Sequence, residues 1–173
     1  GAGLSEVDLQ KGVESAKRLL ADRLRRQGVE VTLEVHSAFQ STAEPPPRVL
    51  ARPGQINQVI LNLLDNALHE SPAGGRIHVA LRATAARVTL SVRDEGRGLS
   101  AESQGRLFQP FFTTRPVGEG TGLGLYVSRQ IVEAHGGVMH ARSAPGEGAE
   151  FLVELPRADA DPPEAPSAAA ASA

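Results

Sequence analysis

The 173-residue chain carries 40% hydrophobic and 22% charged side chains, which suits one globular domain with a packed core and argues against two. A formal net charge of −2 with no basic run excludes the electrostatic footprint of a nucleic-acid binder. The absence of cysteine excludes disulfides and thiolate metal sites and fits a reducing, cytoplasmic setting, and no apolar run reaches the roughly 18 residues that span a bilayer.

The chain opens Gly-Ala-Gly without a methionine, so residues 1–6 are expected to be linker in a piece of a longer protein, which can be membrane-anchored elsewhere. No membrane contact is expected of the piece itself. From Leu9 through Val13, Ala16, Leu20 and Leu24 apolar residues recur at helical spacing, and Gly28 stops the run. "VEVTLEV" then alternates Val31, Leu33 and Val35 inward, as a strand does, before the loop "SAFQSTAEPPPR". A second helix is expected from about Gly54 to Glu70, with the apolar stripe Ile56, Val59, Ile60, Leu63, Leu64, Ala67 and Leu68. "RIHVALR" and "RVTLSVR" place Ile77, Val79, Leu81 and Val88, Leu90, Val92 on single faces and predict a hairpin.

The stretch Glu95 to Thr121 has no sustained period, apart from a short helix expected near Ser100 to Leu107. "GLGLYVSRQIVEAHGG" predicts a helix opened by glycines and closed by Gly136-Gly137, and "VMHARS" and "EFLVELP" predict a strand pair around "APGEG". The Ala- and Pro-rich residues 157–173 are expected to be disordered. The fold class is therefore α/β: a two-layer sandwich with helices on one face of a mixed, mostly antiparallel sheet.

Three features carry chemistry. Continuing the alternation of Val88, Leu90 and Val92 puts Asp94 on the apolar face where the strand ends, and a carboxylate there needs donors. A turn cap with Gly96 and a ligand acceptor both answer that need. Asn62 and Asn66, four apart, lie one above the other at the edge of the apolar stripe, as solvated amides or as hard oxygen ligands suited to Mg²⁺. "GEGTGLGL" is a glycine-rich turn entering a helix, which serves either tight turning or anion binding at free N–H groups.

In their order along the chain these segments resemble the catalytic ATP-binding domain of bacterial sensor histidine kinases, in the GHKL superfamily with its Bergerat fold. "NLLDNA" (62–67) resembles the N box, "DEGRGL" (94–99) the first glycine box, "LFQPFFTT" (107–114) the F box and "GTGLGL" (120–125) the second glycine box; "HGG" and "GEGAEF" continue the likeness. It spans about Val7 to Pro156, and so implies a catalytic domain at 7–156 with a mobile lid at about 95–121.

The resemblance implies ATP and Mg²⁺ as cofactors. Asn66 would be catalytic and the metal ligand, supported by Asn62, and Arg115 would be catalytic at the terminal phosphate. Asp94 would accept the adenine amino group, with Gly96, Gly98 and Leu99 beside the ring. Thr121, Gly122, Leu123, Gly124 and Leu125 would meet the phosphates, and Phe108, Phe111 and Phe112 would pack the lid. His69 would stand at a phosphate-binding position where the family often has Lys or Arg; Glu70 replaces an aromatic residue, and Ala149 replaces a Thr hydroxyl on the adenine side.

Where hydrolysing branches carry a water-activating Glu, this chain has Asn62, an amide that cannot act as a base, so transfer rather than hydrolysis is implied. The acceptor histidine is expected outside the chain, on a dimerisation domain of the same kinase, with a response regulator as partner through that domain. His69-Glu70 mimics an acceptor pair but sits at the end of the nucleotide helix. The alternatives are an anti-sigma-type serine kinase, which the F box argues against, and a regulatory nucleotide-binding module without transferase activity.

Overall fold

A computed structural model describes residues 3–37 and 47–159. Three helices form one layer. Helix α1 (Leu9–Gln27) starts where Asp8 accepts the Lys11 N–H at 3.2 Å and ends at Gly28, and its stripe Leu9, Val13, Ala16 and Leu20 is buried. Helix α2 (Pro53–Glu70) opens on a proline whose missing N–H costs nothing at a first turn, and all seven residues of its expected stripe are buried. It lies between α1 and the helix α4 (Gly124–Ala134).

The helices cover one face of a five-stranded sheet in the order β2 (Glu30–Ser37), β4 (Arg76–Ala83), β5 (Arg87–Arg93), β7 (Ala149–Pro156), β6 (Val138–Ser143). Only β2 and β4 run parallel, so the sheet is mixed and mostly antiparallel, as expected. The register sets Val79 opposite Val92 and Val92 opposite Phe151, all buried against the helices. The other face is polar: Ser91 Oγ donates to Glu150 Oε1 at 2.6 Å. Strand β2 departs from its expected inward alternation. Val31 and Leu33 pack against the core, but Val35 is 43% exposed, because an edge strand has a neighbour on one side only.

Two strands went unanticipated. Strand β1 (Ser5–Asp8) pairs antiparallel with β3 (Arg48–Ala51), Val7 opposite Val49, and Val7, Val49 and Ala51 are buried. Four residues are too few for alternation to register in sequence. Ordered structure thus begins inside the segment 1–6 expected as linker. At the other end, Arg157 and Ala158, expected in the tail, donate their N–H groups to Ala86 O (3.0 Å) and Arg48 O (2.9 Å). Residues 160–173 of that tail and the loop centre 38–46 lie outside the described residues.

The irregular stretch after β5 is also more ordered than its composition suggests. Helix α3 (Ala101–Arg106) is capped by Ser100, whose Oγ accepts the Ser103 N–H. Ahead of it the chain is tied to the β6–β7 turn: Gly146 N–H donates to Arg97 O at 2.7 Å, and Leu99 N–H to Ser143 Oγ at 2.8 Å. Gln104 Nε2 adds a bond to Ser143 O at 2.8 Å. Beyond α4, His135 serves the fold. Its Nδ1 lies 2.7 Å from Ile131 O, which can only accept, while Nε2 accepts the Arg52 N–H at 3.1 Å, so the ring is the neutral Nδ1–H tautomer that caps the start of α2.

Candidate functional site

A cleft of about 230 Å³ opens between α2, the start of α4, the ends of β5 and β7, and the segment 107–122. Asp94 lies in its wall, 1% exposed, where β5 delivers it onto the helix-facing side. Its Oδ1 accepts the Gly96 N–H at 2.8 Å and the Ala149 N–H at 3.2 Å. Its Oδ2 is buried without a hydrogen-bond partner among the described residues. One oxygen therefore closes the turn, and the other is a spare acceptor; the two readings of Asp94 belong to different atoms. Burial raises the carboxyl above its ordinary value of 3.8, against the pull of the Gly96 and Ala149 N–H groups; the Glu70 charge adds to the rise and Arg93 opposes it. The next residue, Glu95, is held by His78 Nε2 and the Arg76 N–H, both at 3.1 Å.

Asn62 and Asn66 both reach the cleft from α2 and are half-buried. They do different things there. Asn62 Nδ2 donates to Gly124 O (3.3 Å) and Ser128 Oγ (3.2 Å), tying α2 to the first turn of α4. The Asn66 amide has no hydrogen-bond partner among the described residues. The N-cap residue of α4, Leu123, makes no side-chain cap bond, so the first-turn N–H groups from Gly124 onward have no partner among the described residues, and Gly122, Gly124 and Leu125 stand in the cleft wall beside them. Thr121 also lines the cleft; its Oγ1 accepts the N–H of Leu123, which stands at the N-cap of α4 and does not line it.

The glycines of the two clusters serve the protein's own backbone closely. Gly98 has φ 72°, and a Cβ there would lie 2.0 Å from Ala144 O. Gly122 has φ 68°, and a Cβ would lie 2.4 Å from the Phe111 carbonyl carbon, where Phe111 N–H donates to Gly122 O at 2.9 Å. Phe111 itself sits at φ 66°, a strained value for a bulky residue, and is 75% exposed. Residues 112–121 are thus a loop cinched at its base.

Of the residues singled out from sequence, Asn62, Asn66, Asp94, Gly98, Leu99, Arg115, Thr121, Gly122, Gly124 and Leu125 meet around this cleft. His69 and Gly96 instead line a neighbouring surface hollow with Glu95, Arg97 and Glu119, because the end of α2 turns His69 past the cleft rim. Glu70 borders both and lies 3.5 Å from Arg97. Phe108 stacks under Arg129 and Phe112 under Arg106, yet Phe112 also lines the cleft. Leu107, Phe151 and Asp65 were not singled out. The alternation of β7 signals Phe151 as inward, whereas nothing local marks Asp65, whose partners Arg23 and Arg115 are distant in sequence.

Residues 51–159 match the family model described as histidine kinase-, DNA gyrase B-, and HSP90-like ATPase. The chain is 40% identical over 152 residues to the sensor histidine kinase ZraS of Klebsiella oxytoca, covering 87% of this chain and 31% of that protein. It is 44% identical over 110 residues to the alginate biosynthesis sensor protein KinB of Pseudomonas aeruginosa, covering 64% of this chain and 18% of KinB. The chain thus spans about a third or less of the length of these relatives. Among solved structures, the nucleotide-free catalytic domain of the histidine kinase ThkA superposes with a TM-score of 0.75 at 27% identity, covering 91% of this chain and 97% of that one. Full-length ShkA in complex with AMPPNP gives a TM-score of 0.76 at 30% identity, covering 95% of this chain and 33% of ShkA.

Proposed function

The chain belongs to the histidine kinase-, DNA gyrase B- and HSP90-like ATPase family, and from that premise we propose that it is the ATP-binding catalytic module of a sensor histidine kinase. In this reading it moves the γ-phosphoryl group of ATP to a histidine on a dimerisation domain, from which a response regulator is served. The observation that carries the reading is Asp94, which keeps one buried acceptor without a partner among the described residues, in the wall of a cleft that the start of α4 also lines with first-turn N–H groups. An exocyclic amine satisfies the first, and phosphate oxygens the second.

The residues also suit Mg²⁺. No cluster of three carboxylate, His or Cys ligands stands among the described residues, so the protein alone offers no cage. The Asn66 carbonyl, which has no partner among the described residues, would supply one hard oxygen to the ion, with phosphate and water oxygens supplying the rest. Mg²⁺ bound there neutralises phosphate charge. Asn62 holds α4 against α2 and keeps the phosphate-facing N–H groups beside Asn66. The amide at position 62 cannot act as a base toward water, and in this reading catalysis rests on positioning and charge neutralisation.

Mixing this chain with the separately produced dimerisation domain of its kinase, ATP and Mg²⁺ is expected to label that domain with an acid-labile, base-stable phosphoryl group. The chain alone is expected to bind ATP and turn it over slowly. An acid-stable product, or rapid self-labelling of the chain, overturns the reading and favours a serine kinase.

A further inference from the structure

Asp65 precedes Asn66 on α2 and is shared by two arginines. Arg23 of α1 hydrogen-bonds its Oδ1, while Arg115, from the cinched loop, brings Nη2 to 3.6 Å from its Oδ2. The second distance is beyond hydrogen-bond range, so Arg115 is held by charge alone and is the weaker of the two partners. Even so, its side chain is only 19% exposed, and both it and Asp65 line the cleft. Arg23 does not.

Resting on the proposal that this cleft takes ATP, we propose that Asp65 is a positioning residue that stands in for the terminal phosphate. It holds Arg115 at the cleft until a γ-phosphate takes that arginine over, and Arg23 sets how firmly. A triphosphate carries more charge than one carboxylate and forms direct hydrogen bonds, so it wins Arg115 from a 3.6 Å contact. ADP lacks the γ-phosphate, and with ADP bound Arg115 stays with Asp65. The carboxylate left behind remains neutralised by Arg23, so releasing Arg115 strands no charge beside the phosphates. Asp65 and Arg23 thereby set the preference of the site for ATP over ADP, and they link the state of the loop to α1.

The test is a calorimetric titration of the chain with Mg²⁺·ADP and with a non-hydrolysable ATP analogue. Asp65→Asn and Arg23→Gln are compared with the parent, each with and without Arg115→Gln. Removing the competing carboxylate in Asp65→Asn is expected to raise the preference for the analogue over ADP by roughly two- to fivefold, the size of a partly exposed ion pair. Removing the sharer in Arg23→Gln tightens the hold on Arg115 and is expected to lower that preference by a similar factor. Both shifts are expected to vanish with Arg115→Gln. Both ligands are titrated into one preparation, so partial unfolding cancels from the ratio. An unchanged ratio in Asp65→Asn that still binds ADP overturns the inference, as does a shift that persists without Arg115. Failure of the parent chain to bind ADP overturns instead the nucleotide reading beneath it.

Discussion

Asp94 combines a cost and a use in one carboxylate. Because burial raises its value in the folded chain, the stability it contributes is complete below the ordinary value of 3.8 and is lost as the pH climbs through the raised one. Raising the pH therefore costs the folded chain stability at a carboxyl that is only half satisfied, since Oδ1 has two donors and Oδ2 has none among the described residues. Asp94→Asn keeps an oxygen for the Gly96 and Ala149 N–H groups and removes the charge. Its melting temperature at pH 7.5 is expected to equal or exceed the parent's, with the difference shrinking as the pH is lowered toward 4. Its affinity for ADP is expected to fall by about ten- to hundredfold, the loss of a charge-assisted bond of about 1.5–3 kcal/mol. Melts at two pH values and one calorimetric titration decide the matter, and unchanged ADP affinity in the folded variant removes Asp94 from the adenine site.

At the scale of the element, glycines in the same irregular stretch do opposite work. Gly98 is required where it stands: its φ of 72° disfavours any other residue, and a Cβ would overlap Ala144 O in the β6–β7 turn. Gly98→Ala is expected to cost at least about 2 kcal/mol and to lower the melting temperature by roughly 6 °C or more. Gly105 lies inside α3 with nothing within 4 Å of its would-be Cβ, so it weakens a six-residue helix without any packing return. Gly105→Ala is expected to stabilise α3 by about 0.5–1 kcal/mol, read as a roughly two- to fivefold slowing of amide exchange in residues 101–107. Loss of exchange protection there on Gly105→Ala would count against a helical α3.

Taken whole, the molecule divides its irregular segment in two. Residues 96–107 are bonded to the β6–β7 turn through Arg97, Leu99 and Gln104, whereas 112–121 are mostly exposed and are held by the Phe111–Gly122 crossing and a few side-chain contacts, the Arg115–Asp65 ion pair, the Arg106–Phe112 stack and a 3.5 Å bond from Arg97 to Thr114 O. Broad-specificity protease is therefore expected to cut the stretch 95–121 between Phe112 and Thr121 and to spare Gly96 to Leu107. Saturating Mg²⁺·ATP analogue is expected to slow that cleavage, because Arg115 and Thr121 would then be engaged. Equal cleavage with and without nucleotide, or first cuts within 96–107, argues against a lid confined to the cinched loop.

Elements whose period is long enough to be unmistakable are legible from residue spacing. The stripe of α2, the β4–β5 hairpin and the inward step to Asp94 all follow from spacing, because a helix or strand that buries one face must repeat its apolar residues at 3.6 or 2. The ordered boxes, read as a resemblance, named most of the residues that meet around the cleft. Tertiary structure alone decided the rest. Strands β1 and β3 are too short to show a period, and they exist because each pairs with the other across more than forty residues. Whether Asp94 caps a turn or offers an acceptor depended on which neighbours reach each oxygen, and one of those, Ala149, arrives from another strand. His69 left the cleft, and Asp65 acquired Arg23 and Arg115, for the same reason. Ion pairs and cleft walls are set by through-space distance, which no local pattern of residues encodes.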